Sequence, residues 1–201
     1  MNGISLSGFR VDDYKSTVAD SRALLGWDPD RIVILHTGIL MERKRPLDVI
    51  EAFHQSKLAG KALLVFAGNG PLMEECLAKA GGTSDIIFLG LRKDMKKLLY
   101  AADCLVSASA SEGMPMALLE GCATGIRILA SEIPPHRQIM NLFPANVQTF
   151  RLGNVGEITE HFDLLAKESR IERRIPSMLE LDPISDTRMS LSYQALYDRI
   201  S

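Results

Sequence analysis

Apolar and polar positions follow two rhythms along this chain. Short β-branched runs, most closed by a glycine, alternate with longer segments of helical spacing. Residues 31–37 (Arg-Ile-Val-Ile-Leu-His-Thr) stop at Gly38 and predict a strand buried on both faces. The same signal returns at 61–67 before Gly68-Asn69-Gly70-Pro71, at 85–89 before Gly90, at 104–107 and at 126–130. Residues 146–150 read as a short edge strand. Helical spacing covers 12–25, closed by Gly26, and a segment opened by Pro46 with Val49, Ile50 and Phe53 inward. Further helices run to Ala80 before Gly81-Gly82, over 95–102, from Pro115 to Thr124, and briefly from Pro134-Pro135. No hairpin signal interrupts the alternation, which predicts an α/β fold with a parallel sheet, helices on both faces and right-handed crossovers. From Gly156 onward the chain is helical and more polar. Met189, Tyr193, Leu196, Tyr197 and Ile200 there share one face of a terminal helix.

In such a sheet the loops after the strands lie at one edge, and that edge binds ligands. Thr37-Gly38, Gly68-Asn69-Gly70, Gly90-Leu91-Arg92 and residues 107–113 all fall there. The densest stretch is 109–120, where Glu112 and Glu120 have seven residues between them, Gly113 and Pro115 included. Gly113 offers a sharp turn, and Pro115 suits the first position of a helix. Glu112 is then expected in the loop and Glu120 in the second helical turn, roughly 8 Å further along the axis. Free amides between them would form an anion site.

Composition narrows the classes. The 201 residues are 46% hydrophobic and 24% charged, enough for a sizeable core. A net charge of −2 gives no electrostatic case for nucleic acid, and Arg43-Lys44-Arg45, Lys96-Lys97 and Arg173-Arg174 read by themselves as solvated faces. Cys76, Cys104 and Cys122, three in number and far apart, read as buried thiols in a reducing cytoplasm. No signal peptide or spanning run is seen, so a soluble, cytoplasmic protein is expected. His36, His54, His136 and His161 lack neighbours at ligand spacing, which argues against a metal. His136 is expected at the surface.

Several short motifs occur in a fixed order. They are Asn2-Gly3-Ile4, Gly38 with Lys44-Arg45-Pro46, Gly68-Asn69-Gly70-Pro71, Phe88-Leu89-Gly90, Ala102-Asp103, Ser109 with Glu112-Gly113, Glu120, and residues 125–131. Over about residues 1–140 they resemble the C-terminal, donor-binding domain of retaining glycosyltransferases of GT-B fold, the glycosyl transferases group 1 family. Each motif is weak alone; the order carries the likeness, and the two glutamates with seven residues between them are its most specific part.

The resemblance implies one Rossmann-like half of a two-domain enzyme. Residues 1–26 would form a lead-in resembling the interdomain linker, 27–180 the nucleotide-sugar domain, and 181–201 a helix crossing onto a missing N-terminal, acceptor-binding domain. That missing half would also supply any peripheral contact with a membrane. The donor would be a UDP- or GDP-linked sugar, transferred with retention, with no cofactor and no metal. By the same resemblance, Lys44 and Glu112 are the catalytic candidates, Lys44 on the diphosphate and Glu112 on the sugar, and Glu120 holds the ribose hydroxyls. Gly38, Arg43, Gly113, Met114, Pro115 and Met116 would complete the donor site, and Leu91 and Arg92 would meet the base. Taken from the residues alone, Gly68-Asn69-Gly70 is explained by a strand turning into a helix.

One position departs from the pattern: Ile39 stands where the family commonly has an arginine on the diphosphate. Arg43 or Arg45 would have to replace it, or turnover suffers. The isolated domain is expected to bind donor without useful turnover. A nucleotide-sugar epimerase and a non-catalytic binding module are the competing readings.

Overall fold

The computed structural model describes residues 4–9, 13–168 and 173–187, without the side chains of 7 and 8; the stripe from Met189 to Ile200 lies outside them. Six strands form one parallel sheet: β1 (Ile32–Thr37), β2 (Ala62–Ala67), β3 (Ile86–Phe88), β4 (Cys104–Ser107), β5 (Arg127–Ser131) and β6 (Val147–Phe150). Their spatial order is β3-β2-β1-β4-β5-β6, so the direction of winding reverses between β1 and β4. Val33 and Leu35 pack on one face, with α1 (Tyr14–Leu25), α4 (Met95–Ala101), α5 (Met116–Thr124) and α6 (Pro134–Leu142) on that side. Ile34, Leu64 and Phe66 pack on the other, under α2 (Pro46–Gln55), α3 (Met73–Ala80) and α7 (Val155–Leu165). A short α8 (Met178–Leu181), capped by Ser177 and Glu180, follows.

Each element forms for a local reason. Asp13 caps α1 by accepting from the amides of Lys15 and Ser16, and Gly26 ends it in the left-handed region. Pro46 opens α2, whose Val49, Ile50 and Phe53 are wholly buried. Each such side chain stabilises the fold by about 1.5–3 kcal/mol. β3 is shorter than the apolar run 85–89 because it is an edge strand; beyond it only a bridge joins Gly90 to Gly68.

Three expectations about loops need correction. Pro115 is the cap before α5 rather than its first residue, because the Met116 amide turns back onto the Met114 carbonyl at 2.9 Å. Gly113 has no left-handed φ, and a side chain there would meet nothing within 4 Å, so its turn does not require glycine. Gly68 and Gly70 are required, but by crowding rather than by a strand turning into a helix. A Cβ would lie 1.8 Å from the Gly38 carbonyl oxygen in the first case and 2.4 Å from that of Leu40 in the second.

At the N-terminal ends of the strands, Asp103 accepts from the Val33 amide at 2.8 Å and pairs with Arg22 at 2.5 Å. Arg22 also donates to the carbonyls of Ala101, Pro29 and Arg31. Arg173 is not on a solvated face: it donates to Tyr100 and Ala102 carbonyls and lies 5.3 Å from the Tyr14 ring centroid. The three cysteines are buried, and burial pushes the Cys76 thiol up to about 11 and that of Cys104 to about 12.

Candidate functional site

The loops after β1 and β4 meet where the winding reverses, the place where open α/β sheets bind ligands. The Ala110 amide donates to the Arg43 carbonyl at 2.7 Å, which ties the two loops together. Lys44 sits on a 3-10 turn, Glu42–Lys44, that ends in a left-handed Arg45. Its ammonium group forms an ion pair with Glu112 across this junction and rests against Gly38. The same Glu112 oxygen accepts from the Ser109 hydroxyl at 2.7 Å, while Arg43 lies 3.7 Å from the other oxygen and donates to the Ser111 carbonyl. Burial works to raise the Glu112 carboxyl, but the Lys44 and Ser109 hydrogen bonds outweigh it and hold it below its ordinary value.

Beyond Glu112 the amides of Gly113, Met114 and Ala117 have no hydrogen-bond partner among the described residues, whereas that of Met116 is already used. Three donors at a helix tip beside a lysine suit a phosphate or a cluster of hydroxyls. Glu120, one turn into α5, is half-buried and unpaired among the described residues, and burial raises its carboxyl. A half-buried carboxylate without partners keeps its acceptor oxygens open to a ligand's donors. A hollow of about 710 Å³ lies on the α6 side of the loop, lined by Gly113, Met114, Pro115, Leu119, Ile139 and Ile184 among others. Neither glutamate lines it.

Residues 18–175 match the family model described as glycosyl transferases group 1. The chain belongs to that family. It is 30% identical over 135 residues to the putative glycosyltransferase EpsF of Bacillus subtilis, a match covering 65% of this chain and 35% of that one. It is 30% identical over 141 residues to an Escherichia coli UDP-Gal:alpha-D-GlcNAc-diphosphoundecaprenol alpha-1,3-galactosyltransferase, covering 66% and 35%. The chain thus spans about a third of the length of these curated relatives. Among solved structures it is similar to Anabaena Alr3699/HepE in complex with UDP and glucose, with a TM-score of 0.79 at 19% identity over 100% of this chain and 55% of that one. Sucrose-phosphate synthase from Thermosynechococcus elongatus gives 0.82 at 17% identity, over 99% and 51%. The Rossmann-like fold expected of the group 1 glycosyltransferases is therefore the observed one.

Other expected residues in this member of the family are placed less centrally. Arg92 is paired with its neighbour Asp94 at 2.6 and 2.8 Å, which holds the Asp94 carboxyl at about 2, and Leu91 is exposed. Ile39 is exposed on the same rim. Of the two arginines able to replace the family arginine, Arg45 is engaged by Asp48 at 2.6 Å, and Arg43 is the one beside Glu112. His136 overturns expectation: it is 0% exposed, with Nδ1 2.8 Å from the Ser131 carbonyl oxygen. The pattern hid it because two prolines and polar neighbours surround it in sequence. His36 is also buried, its ring 5.1 Å from that of Phe66, and neither of its ring nitrogens has a partner among the described residues.

Proposed function

We propose that the chain is the donor-binding part of a glycosyltransferase that moves a sugar from a nucleotide-diphospho-sugar to an acceptor with retention of configuration. The observation that carries this reading is the meeting of Lys44 and Glu112 at the switch point, beside the unpartnered amides of the α5 tip. In the proposed complex the diphosphate draws the Lys44 ammonium from Glu112. Lys44 then stabilises the negative charge that grows on the leaving group. Glu112, relieved of Lys44 and still held by Ser109 on that same oxygen, accepts from hydroxyls of the sugar through the other. Glu120 takes the two ribose hydroxyls, and Arg43 supplies the second cation that Ile39 cannot.

A uridine nucleotide is favoured because the Anabaena neighbour was solved with UDP and with UDP-glucose. The acceptor belongs to a second domain in this reading, and the chain alone binds without useful turnover. In support, the chain's described ends lie together: Ile4 pairs with Ser185, its amide donating to Ile184 at 2.9 Å. A preceding domain and a returning C-terminal segment would thus leave from one place. Among the described residues, no helix is long and apolar enough to cross a membrane.

Calorimetry with UDP, GDP and their sugar conjugates tests the site. Glu120→Ala is expected to weaken nucleotide binding at least tenfold, the loss of one or two charge-assisted hydrogen bonds. Unchanged affinity would remove Glu120 from the site.

A further inference from the structure

Glu112 is held by a relay that begins well behind it. The imidazole Nδ1 of His136 must carry its proton, because the Ser131 carbonyl oxygen at 2.8 Å can only accept. Ser131 Oγ, 3.2 Å from the same nitrogen, passes its own hydrogen bond to the Ser109 carbonyl. Ser109, also wholly buried, then donates its hydroxyl to Glu112 at 2.7 Å. The Nε2 of His136 is left as a buried lone pair without a partner among the described residues. An apolar side chain in that place would avoid the unmatched acceptor, so what the imidazole adds to the fold is its Nδ1–H.

We propose that His136 and Ser131 are positioning residues for the Glu112 carboxylate, acting through Ser109. They fix the main chain of residue 109, so that its hydroxyl holds one Glu112 oxygen when Lys44 leaves for the diphosphate and the other oxygen faces the sugar. The inference rests on the donor-site reading for its purpose, but its first test does not need it. The imidazole stays neutral in this relay: burial and the Lys44 charge oppose its protonation, and Glu112 and the Ser131 carbonyl favour it less strongly.

In the ligand-free chain, carbon-detected NMR follows the Glu112 carboxyl titration. Ser131→Ala and His136→Leu are expected to raise its midpoint by on the order of half a pH unit, because the Ser109 hydrogen bond is loosened. His136→Asn, whose amide N–H can replace Nδ1–H, is expected to leave it unchanged. A midpoint unmoved in both Ser131→Ala and His136→Leu overturns the proposal, whatever any nucleotide does. With UDP and UDP-glucose as probes, the same two variants are expected to keep UDP affinity and lose about tenfold in the extra affinity of the sugar conjugate. Retention of that extra affinity overturns the proposal. Failure of the unaltered chain to bind UDP overturns the donor-site reading instead, and the titration still decides the relay.

Discussion

At one end of the strands Asp103 accepts from Val33 and Arg22, and Arg22 spends its remaining donors on three carbonyls. At the other end Glu112 accepts from Lys44 and Ser109, yet around it both nitrogens of His36, the Nε2 of His136, the Glu120 carboxylate and the amides of Gly113, Met114 and Ala117 go without partners among the described residues. Both ends carry a cation and a carboxylate that tie together segments far apart in sequence, α1 to the start of β4 at the first and the loops after β1 and β4 at the second. The difference is satisfaction: the first cluster closes on itself, and the second is finished only by something from outside. Buried polar groups left open cost stability. The contrast is one of degree, since Asn146 Oδ1 is also buried without a partner among the described residues at the first end, but the open groups gather at the second, around Glu112.

The largest effect should come from opening the closed end. Asp103→Ala strips the Val33 amide and Arg22 of their partner inside the fold, and breaking such a pair costs about 3 kcal/mol. Urea denaturation is the measurement, with UDP affinity unchanged at low denaturant. A loss under about 1 kcal/mol would mean that the two ends are built alike.

Acid should reveal the open end next. Burial, with the Lys44 charge, lowers the His36 pKa to about 4. Unfolded, the same imidazole takes its proton near pH 6.5. Between those values the unfolded chain binds a proton that the folded chain refuses. Stability is therefore full above pH 6.5 and falls, by on the order of 3 kcal/mol, as pH drops toward 4. His136 adds to the loss in the same direction. His36→Phe should flatten this part of the pH–stability curve, and a slope surviving that change would assign the effect elsewhere.

The sequence made the strands readable because a glycine closes most of the buried runs, and period alone then orders the sheet. It also marked Lys44, Glu112 and Glu120 separately. It did not show that Lys44 and Glu112 would grip one another across 68 positions, since nothing local records the meeting of two loops. Asp103 and Arg22 stayed invisible as a pair for the same reason, 81 positions apart. His136 was misplaced because a polar residue among polar neighbours looks solvated until the strand behind it is in view. Its nearest partner is only five residues away, but the relay ends on a loop 22 residues earlier than Ser131.

The smallest effect on folding should come from the residue with the largest effect on function. Glu112→Gln keeps the shape and an acceptor for Lys44 and Ser109, removing only the charge. Lys44 retains some contact with water, its side chain 16% exposed, so it can turn outward when its partner is neutral. The pair is as buried as Arg22–Asp103, but glutamine keeps the hydrogen bonds that alanine would remove, so the expected change in unfolding free energy is about 1 kcal/mol, well below that of Asp103→Ala. The added affinity of UDP-glucose over UDP should fall tenfold or more, because a neutral amide accepts more weakly from sugar hydroxyls than a carboxylate. Were the variant instead to unfold as readily as Asp103→Ala while binding UDP-glucose normally, Glu112 would belong with the closed end, and the contrast between the two ends of the sheet would carry no functional meaning.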